Sequence, residues 1–185
     1  MSAVPLLRTR RLTLQQFTEA DAPAFFEIMS DERTNTFLPW YPVKTPDQAA
    51  KMLTDLQKSG WFYGIFLEGR AAGYVSLSGT APYDLGYGLL PAYWGRGFAA
   101  EAAGAVLARG KALMPYATAT HDRNNPASGA VMKKLGMRYC YSYEELWQPK
   151  NIPVVFRLYQ INFDGSDSVY PGYAERYPHF VERDV

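Results

Sequence analysis

A chain of 185 residues with a single cysteine, Cys140, has no partner for an intramolecular disulfide. It also lacks the thiols of a multi-cysteine zinc centre. Histidine is almost as scarce, with only His121 and His179, so no metal is expected. The stretch Met1-Ser2-Ala3-Val4-Pro5-Leu6-Leu7-Arg8 lacks a charged segment followed by an apolar run of signal-peptide length. Nowhere does an apolar run approach the roughly 20 residues that a membrane-spanning helix needs. Neither sign of charge dominates, with 19 Lys and Arg against 18 Asp and Glu for a formal charge of +1. That balance predicts no general attraction to nucleic acid or to an anionic membrane. The expectation is a soluble, cytoplasmic protein with neither as a partner.

What the chain does have is aromatic residues, 15% of its length, several in segments that read as loops, where they suit the wall of a pocket. The length fits one domain with a substantial core. Arg11 to Gln15 alternates polar and apolar and reads as a strand. Thr18 and Asp21 have capping-box spacing and open a helix to about Ser30. A second helix is expected from Pro46 to Lys58, capped by Thr45, with Ala49, Met52, Leu53 and Leu56 on one face and Gly60 as its stop. Trp61–Leu67 and Ala72–Ser78 read as strands joined through Glu68-Gly69-Arg70-Ala71, a hairpin signature, and Leu85–Leu90 as a third antiparallel strand. A helix from about Gly97 to Leu113 follows, with Phe98, Ala102, Val106 and Leu113 inward. Tyr116–Thr120 is expected as a strand parallel to the one before that helix. Asn125-Pro126 starts a further helix that Gly136 ends. Met137–Tyr143 and Val154–Ile161 close the pattern, which is that of an α+β domain over 1–162. The tail 163–185 carries Tyr170, Tyr173, Tyr177 and Phe180 and is expected to pack on the domain or on a partner subunit, which leaves a homodimer open.

The most informative segment is Leu85–Leu90, Pro91-Ala92-Tyr93-Trp94, then Gly95-Arg96-Gly97-Phe98-Ala99-Ala100-Glu101: a strand, a glycine turn, and a helix whose first turn is small. Two glycines open conformations closed to other residues. The first N–H groups of the helix, helped by its dipole, then face whatever sits in the turn, and a pyrophosphate suits them. Arg96 stands beside the turn, and Glu101 offsets the dipole while pointing away from the ligand. The dinucleotide-binding pattern is formally satisfied, but that fingerprint belongs after the first strand of a parallel fold, and here four strands and two helices come first. The Walker pattern fails, because no lysine followed by serine or threonine comes after the second glycine.

The same residues resemble the acetyl-coenzyme A motif of the GNAT superfamily of N-acetyltransferases, with Trp94, Gly97 and Ala99 at its fixed positions. Trp94 departs from the usual Gln or Arg, and Tyr93-Trp94-Gly95 is similar to the sequence common in the Rim-type, ribosomal-protein-acetylating branch. Arg8 to Leu14 resembles that branch's opening strand, Phe17 to Asp21 the approach to its first helix, Asn125 to Ser128 with Lys133 to Met137 its second cofactor motif, and Val155 to Ile161 its closing strand. The likeness runs in order from about Arg8 to about Asn162, and the tail falls outside it.

The resemblance implies a GNAT fold: a mixed, mostly antiparallel sheet of about six to seven strands, helices on both faces, and a splayed strand pair for acetyl-CoA. It implies direct transfer of acetyl to an amine, either a peptide or protein N-terminus or a small molecule. The competing reading is a non-catalytic acyl-CoA-binding or regulatory module on the same fold. Cofactor contacts are expected at Leu89, Leu90, Gly95, Arg96, Gly97, Phe98, Ala99, Ala100 and Asn125, with main-chain groups of Leu89 and Leu90 bonding the pantetheine arm and thioester. Asn125 also reads as an N-cap. Ser128 is placed near the thioester sulfur as a proton donor. A primary amine needs a base: Asp84 comes first, with Glu144 and Glu145, expected in the connection to the last strand, as alternatives. Trp40, Tyr41, Tyr63, Tyr83 and Trp147 are candidates for the acceptor pocket. Cys140 and His121 read as packed rather than reactive.

Overall fold

The computed structural model describes residues 4–185. The first three residues of the expected 1–162 domain and of the amino-terminal stretch read for a leader lie outside them. In chain order the elements are β1 (Leu7–Arg8), β2 (Leu12–Gln15), α1 (Ala22–Ser30), α2 (Glu32–Asn35), α3 (Pro46–Gln57), β3 (Phe62–Leu67), β4 (Arg70–Leu77) and β5 (Leu85–Leu89). Then come α4 (Phe98–Gly110), β6 (Tyr116–Asp122), α5 (Pro126–Lys134), β7 (Arg138–Trp147), β8 (Ile152–Asn162) and β9 (His179–Phe180).

The strands form two antiparallel sheets, β1-β2-β3-β4-β5 and β6-β8-β7-β9. The expected parallel pairing of β6 with β5 is confined to one bridge, Asp84 to Thr118. Beyond it the two strands part, and that parting is the splay. The seven longer strands match the expected number, and β1 and β9 add two residues each at the outer edges.

Alternation along the strands sorts the side chains to two faces. On one, Leu12, Leu14, Tyr63, Ile65, Val75, Leu85, Leu89, Ala117, Ala119 and Tyr159 form a continuous core with Phe98, Ala102, Ala103 and Val106 of α4 and Met132 of α5. The opposite face carries two separate clusters. Phe62, Phe66 and Tyr74 pack under α1 and α3, whereas Tyr141, Tyr143, Val154, Phe156 and Leu158 pack under Tyr173, Ala174 and Tyr177 of the tail. The helical cover stands on the first sheet and the tail on the second, and the line between them above the β5–β6 split is the cleft.

Local signals account for most boundaries. The Asp21 carboxylate accepts both the Thr18 N–H (2.8 Å) and the Thr18 hydroxyl (2.7 Å), and Thr45 and Asn125 cap α3 and α5. Two expectations are corrected. Helix α4 ends at Gly110, so Leu113, expected inward, is 67% exposed, and Met114 takes the buried place after the N–H groups of both fold back on the Gly110 carbonyl. Strands β7 and β8 are longer than expected and pair as far as Trp147 with Ile152, which puts Glu144, Glu145 and Trp147 on a strand rather than in a connection.

The tail is held by more than its rings. β9 pairs with β7, Arg157 meets Glu182 at 2.6 Å, and the Ser142 hydroxyl donates to Glu182 at 2.6 Å. Those bonds, the guanidinium's first, pull the Glu182 pKa down to about 2 against the effect of burial.

Candidate active site

Strand β5 leads through a short helical turn, Pro91–Tyr93, into the glycine turn. Gly95 and Gly97 have φ of 70° and 77°, left-handed values that cost other residues roughly 1–2 kcal/mol. Gly97 is the N-cap of α4 and offers no side chain to the helix, and Glu101 makes the first bond back to its carbonyl. The N–H groups of Phe98, Ala99 and Ala100 therefore stay open to a ligand. Two cations missed in the sequence flank the turn: a Cβ built on Gly97 would stand 3.6 Å from both Arg11 Nη2 and Lys134 Nζ. Arg96 lies with its guanidinium over the Phe98 ring, 4.7 Å from the centroid. Glu101 turns to Arg11 at 2.7 Å and to the Thr9 hydroxyl at 2.6 Å, locking the β1–β2 corner onto α4.

The exposed edge of β5 differs from expectation in one respect. Leu90 N–H bonds Ala72 and the Asp84 carbonyl accepts from Ser78, so even-numbered residues pair toward β4. Tyr87 and Leu89 consequently present their main-chain groups to the split. The Leu89 carbonyl is already taken by Trp94 Nε1 (2.7 Å) and the Thr34 hydroxyl (3.1 Å). Leu90 is thus removed from the expected arm-binding groups, and what faces the split is the Leu89 N–H with both groups of Tyr87.

On the α4–α5 face, Tyr87 reaches across the split to α5. Its hydroxyl lies 2.9 Å from the Ser128 carbonyl and 3.0 Å from Ser128 Oγ. Burial, eased by the Ser128 bond, pushes the Tyr87 pKa up to about 12. Asn125 Oδ1 accepts the Ser128 N–H at 3.4 Å, so the N-cap fixes the turn that holds Ser128.

On the other face Asp84 lies at the head of the split, bridged to Thr118. Thr118 Oγ1 donates to Asp84 Oδ1 at 3.3 Å and to the Pro82 carbonyl at 2.9 Å. The residue keeps partial access to the cleft, yet its carboxyl is densely surrounded. Burial raises its pKa to about 7, opposed only by the Thr118 bond. Asp84's charge reaches Tyr87, Tyr143 and Tyr173. Beside it Gly86 and Gly88 leave β5 bare: a Cβ on Gly88 would strike the Tyr74 ring at 2.8 Å.

The other candidates separate. Glu144 is exposed and lies on the strand face opposite Tyr143, so the structure does not bring it to Asp84. Glu145 shares the tyrosines' face and acts on Tyr143, Tyr173 and Tyr177. Tyr63 is corrected from pocket wall to core: it is fully buried under α4, with its hydroxyl bonded by Arg109. Trp40 bonds Asn35 Oδ1 at 2.8 Å and its ring lies 6.3 Å from Tyr74. Tyr41 is 58% exposed at the rim. Trp147 packs edge-on to Phe156, and Tyr83 packs edge-on to Tyr116 at 5.2 Å. Lys150 spans the cleft's end, its Nζ donating at 3.1 Å to the carbonyls of Asn35 and Thr36.

His121 is buried with Nδ1 2.8 Å from the Asp122 carbonyl and Nε2 unbonded against Gly129. Burial lowers its pKa and raises that of the Cys140 thiol. Among the described residues no helix is long and apolar enough to cross a membrane.

A sheet opened beside a glycine-capped helix, with a bare strand edge in the opening, suits an extended ligand that carries phosphate. Residues 11–138 match the family model described as the acetyltransferase (GNAT) domain, and the chain belongs to that family. It is 26% identical over 147 residues to the uncharacterized N-acetyltransferase YoaA of Bacillus subtilis strain 168, covering 72% of this chain and 83% of that one. A GNAT-family acetyltransferase structure from Bacillus anthracis superposes with a TM-score of 0.78 at 23% identity, covering 86% and 99% of the two chains. RimL, described as a ribosomal L7/L12 α-N-protein acetyltransferase in complex with coenzyme A, superposes with 0.75 at 19%, covering 89% and 100%. These likenesses agree with the GNAT fold expected from the motifs.

Proposed function

We propose that the protein is an acetyl-CoA-dependent N-acetyltransferase that moves acetyl directly from the thioester to an amine, with both substrates bound. The observation that carries the reading is the two-sided split: the glycine-capped start of α4 and the Tyr87–Ser128 pair on one face, and Asp84 at the head of the split on the other. RimL, a structural neighbour whose description names both coenzyme A and a protein α-amine, supports the donor and favours a peptide or protein N-terminus as acceptor.

In this reading the pyrophosphate takes the N–H groups at Phe98–Ala100, with Arg11 and Lys134 adding charge. The pantetheine arm pairs with the free edge at Tyr87 and Leu89. The amine enters from the cleft and loses its proton to Asp84, which at neutral pH is partly ionised and so suited to general-base work, worth ~10² to 10⁴ in rate. Its lone pair then attacks the thioester carbon. The oxyanion takes an edge N–H; the nitrogen sheds its second proton to water as collapse forms the amide and expels the thiolate, which receives a proton from the Tyr87–Ser128 pair, and water re-protonates the pair.

The test is release of free CoA thiol from acetyl-CoA over a panel of short peptides and small amines, with Asp84→Asn and Glu144→Gln alongside. Turnover lost in the first variant and kept in the second supports the assignment. Tight acetyl-CoA binding without turnover on any acceptor favours the non-catalytic module instead.

A further inference from the structure

Five tyrosine rings form an arc at the split. Tyr83 meets Tyr116 at 5.2 Å, Tyr116 meets Tyr170 at 6.4 Å, Tyr170 meets Tyr173 at 5.3 Å, and Tyr173 stacks on Tyr143 at 4.8 Å with 7° between the planes. The arc begins at the residue preceding Asp84 and ends on β7, across the cleft. Two of its five rings belong to the tail, outside both the family match and the motifs that resemble the Rim-type branch.

Several contacts fix the tail there. Tyr170 N–H donates to Gln160 Oε1 at 2.8 Å, and Gln160 pairs across the sheet with Thr118, whose hydroxyl bonds Asp84. The Tyr170 carbonyl accepts the Tyr141 hydroxyl at 2.7 Å. Tyr170 and Tyr173 are only partly buried, so their rings retain a free surface.

Thr118 from β6 bonds Asp84, and the Asp84 charge acts on Tyr143 from β7, on Tyr173 from the tail and, through the sheet, on Tyr87 of its own strand. Glu145 adds a second negative charge near Tyr143 and Tyr173, and Arg176 is a cation acting on Tyr173. Among the described residues Asp84 forms no ion pair. A carboxylate beside this arc of rings, with no ion-pair partner among the described residues, suits one kind of guest: an alkylammonium. The rings attract its charge and the acid accepts its protons.

We propose that the tail is part of the acceptor site, and that Tyr173 and Tyr170 complete an aromatic cage selecting a protonated primary amine and delivering it to Asp84. This rests on the reading of Asp84 as the base. The amine binds as its cation, which the cage favours, and gives up its proton only in contact with Asp84. A neutral alcohol of the same shape is excluded as a ligand, and so is an amine whose neighbouring carbon carries a carboxylate, which the Asp84 and Glu145 charges repel.

The test uses the full chain and n-butylammonium as probe, with n-butanol as its neutral counterpart, titrated by NMR into wild type, Tyr173→Leu, Tyr173→Phe and Asp84→Asn. A second readout follows the Asp84 carboxyl carbon through pH in wild type and Tyr173→Ala. The cage predicts that butylammonium binds and butanol does not. Tyr173→Leu, which keeps apolar bulk without a π-face, weakens binding by about fivefold, and Tyr173→Phe restores it. Removing the side chain lets water reach Asp84 and lowers its titration midpoint. Butylammonium affinity equal in wild type and Tyr173→Leu, or an Asp84 titration unmoved in a folded Tyr173→Ala, overturns the tail's role. If Asp84→Asn retains both wild-type turnover and affinity, the base assignment itself falls.

Discussion

Replacing Asp84 by Asn separates the cost of holding this carboxyl in place from its use. Its pKa stands at about 7 against an ordinary 3.8, chiefly through burial. Because the folded-state value lies above the unfolded one, the unfolded chain releases this proton first as pH rises. The group is neutral in both states below about pH 4 and costs the fold nothing there. Between about pH 4 and pH 7 the ionised unfolded state gains on the native state, and above pH 7 the penalty is complete. At 1.36 kcal/mol per pH unit the full penalty is about 4 kcal/mol, an upper bound because the carboxyl keeps partial access to the cleft. Asn cannot ionise and still accepts the Thr118 hydroxyl. Urea unfolding of wild type and Asp84→Asn at intervals from pH 4 to pH 8.5 should therefore show a stability difference that moves in the variant's favour across this window and then levels off, while acetyl transfer is lost. A difference that stays constant with pH would refute the reasoning, since it would mean that the carboxyl titrates alike in folded and unfolded chains.

Gly97→Val places a β-branched side chain at φ 77° and fills the turn; acetyl-CoA affinity measured calorimetrically should disappear, with a stability loss of about 2 kcal/mol. Asn125→Ala removes the cap of α5 and should cost about 1 kcal/mol in denaturant unfolding while separately weakening acetyl-CoA binding. Tyr87→Phe leaves the ring and removes the hydroxyl that touches Ser128; kcat should fall by at least about tenfold with the KM for acetyl-CoA little changed, if the pair protonates the thiolate.

The parts legible in the sequence are those whose cause is local. Gly95 and Gly97 announce a turn because few other residues tolerate their φ. Thr45 and Asn125 announce helix starts because their side chains accept from N–H groups three residues on, and Thr18 does so because Asp21 reaches back to its N–H. Glu68-Gly69 marks its hairpin by residues that accept positive φ, as both do. Less was readable where the cause is tertiary. Tyr87 finds Ser128 at a separation of 41 residues, and its own neighbours show only a strand. Alternation on β7 put Glu144 and Glu145 on opposite faces, but this was hidden while both were assigned to a connection. The one signal available for the tail was its run of tyrosines, which indicated burial without indicating against what. Leu113 failed for a simple reason: helical periodicity does not say where a helix ends.

The two short strands at the margins carry a consequence for assembly. An unpaired strand edge is a template on which another chain can build, and proteins blunt such edges. Here β1 and β9 leave only two residues each at the outer rims, too few to seat a neighbour. The longer edges of β5 and β6 face one another across the split, so the molecule's remaining capacity for strand-like pairing points inward, to where an extended ligand lies. Losing the tail would strip β7 of its pairing at Ser142 and Tyr143 and leave its whole outward-facing edge bare. Self-association, more than unfolding, is then the failure to expect.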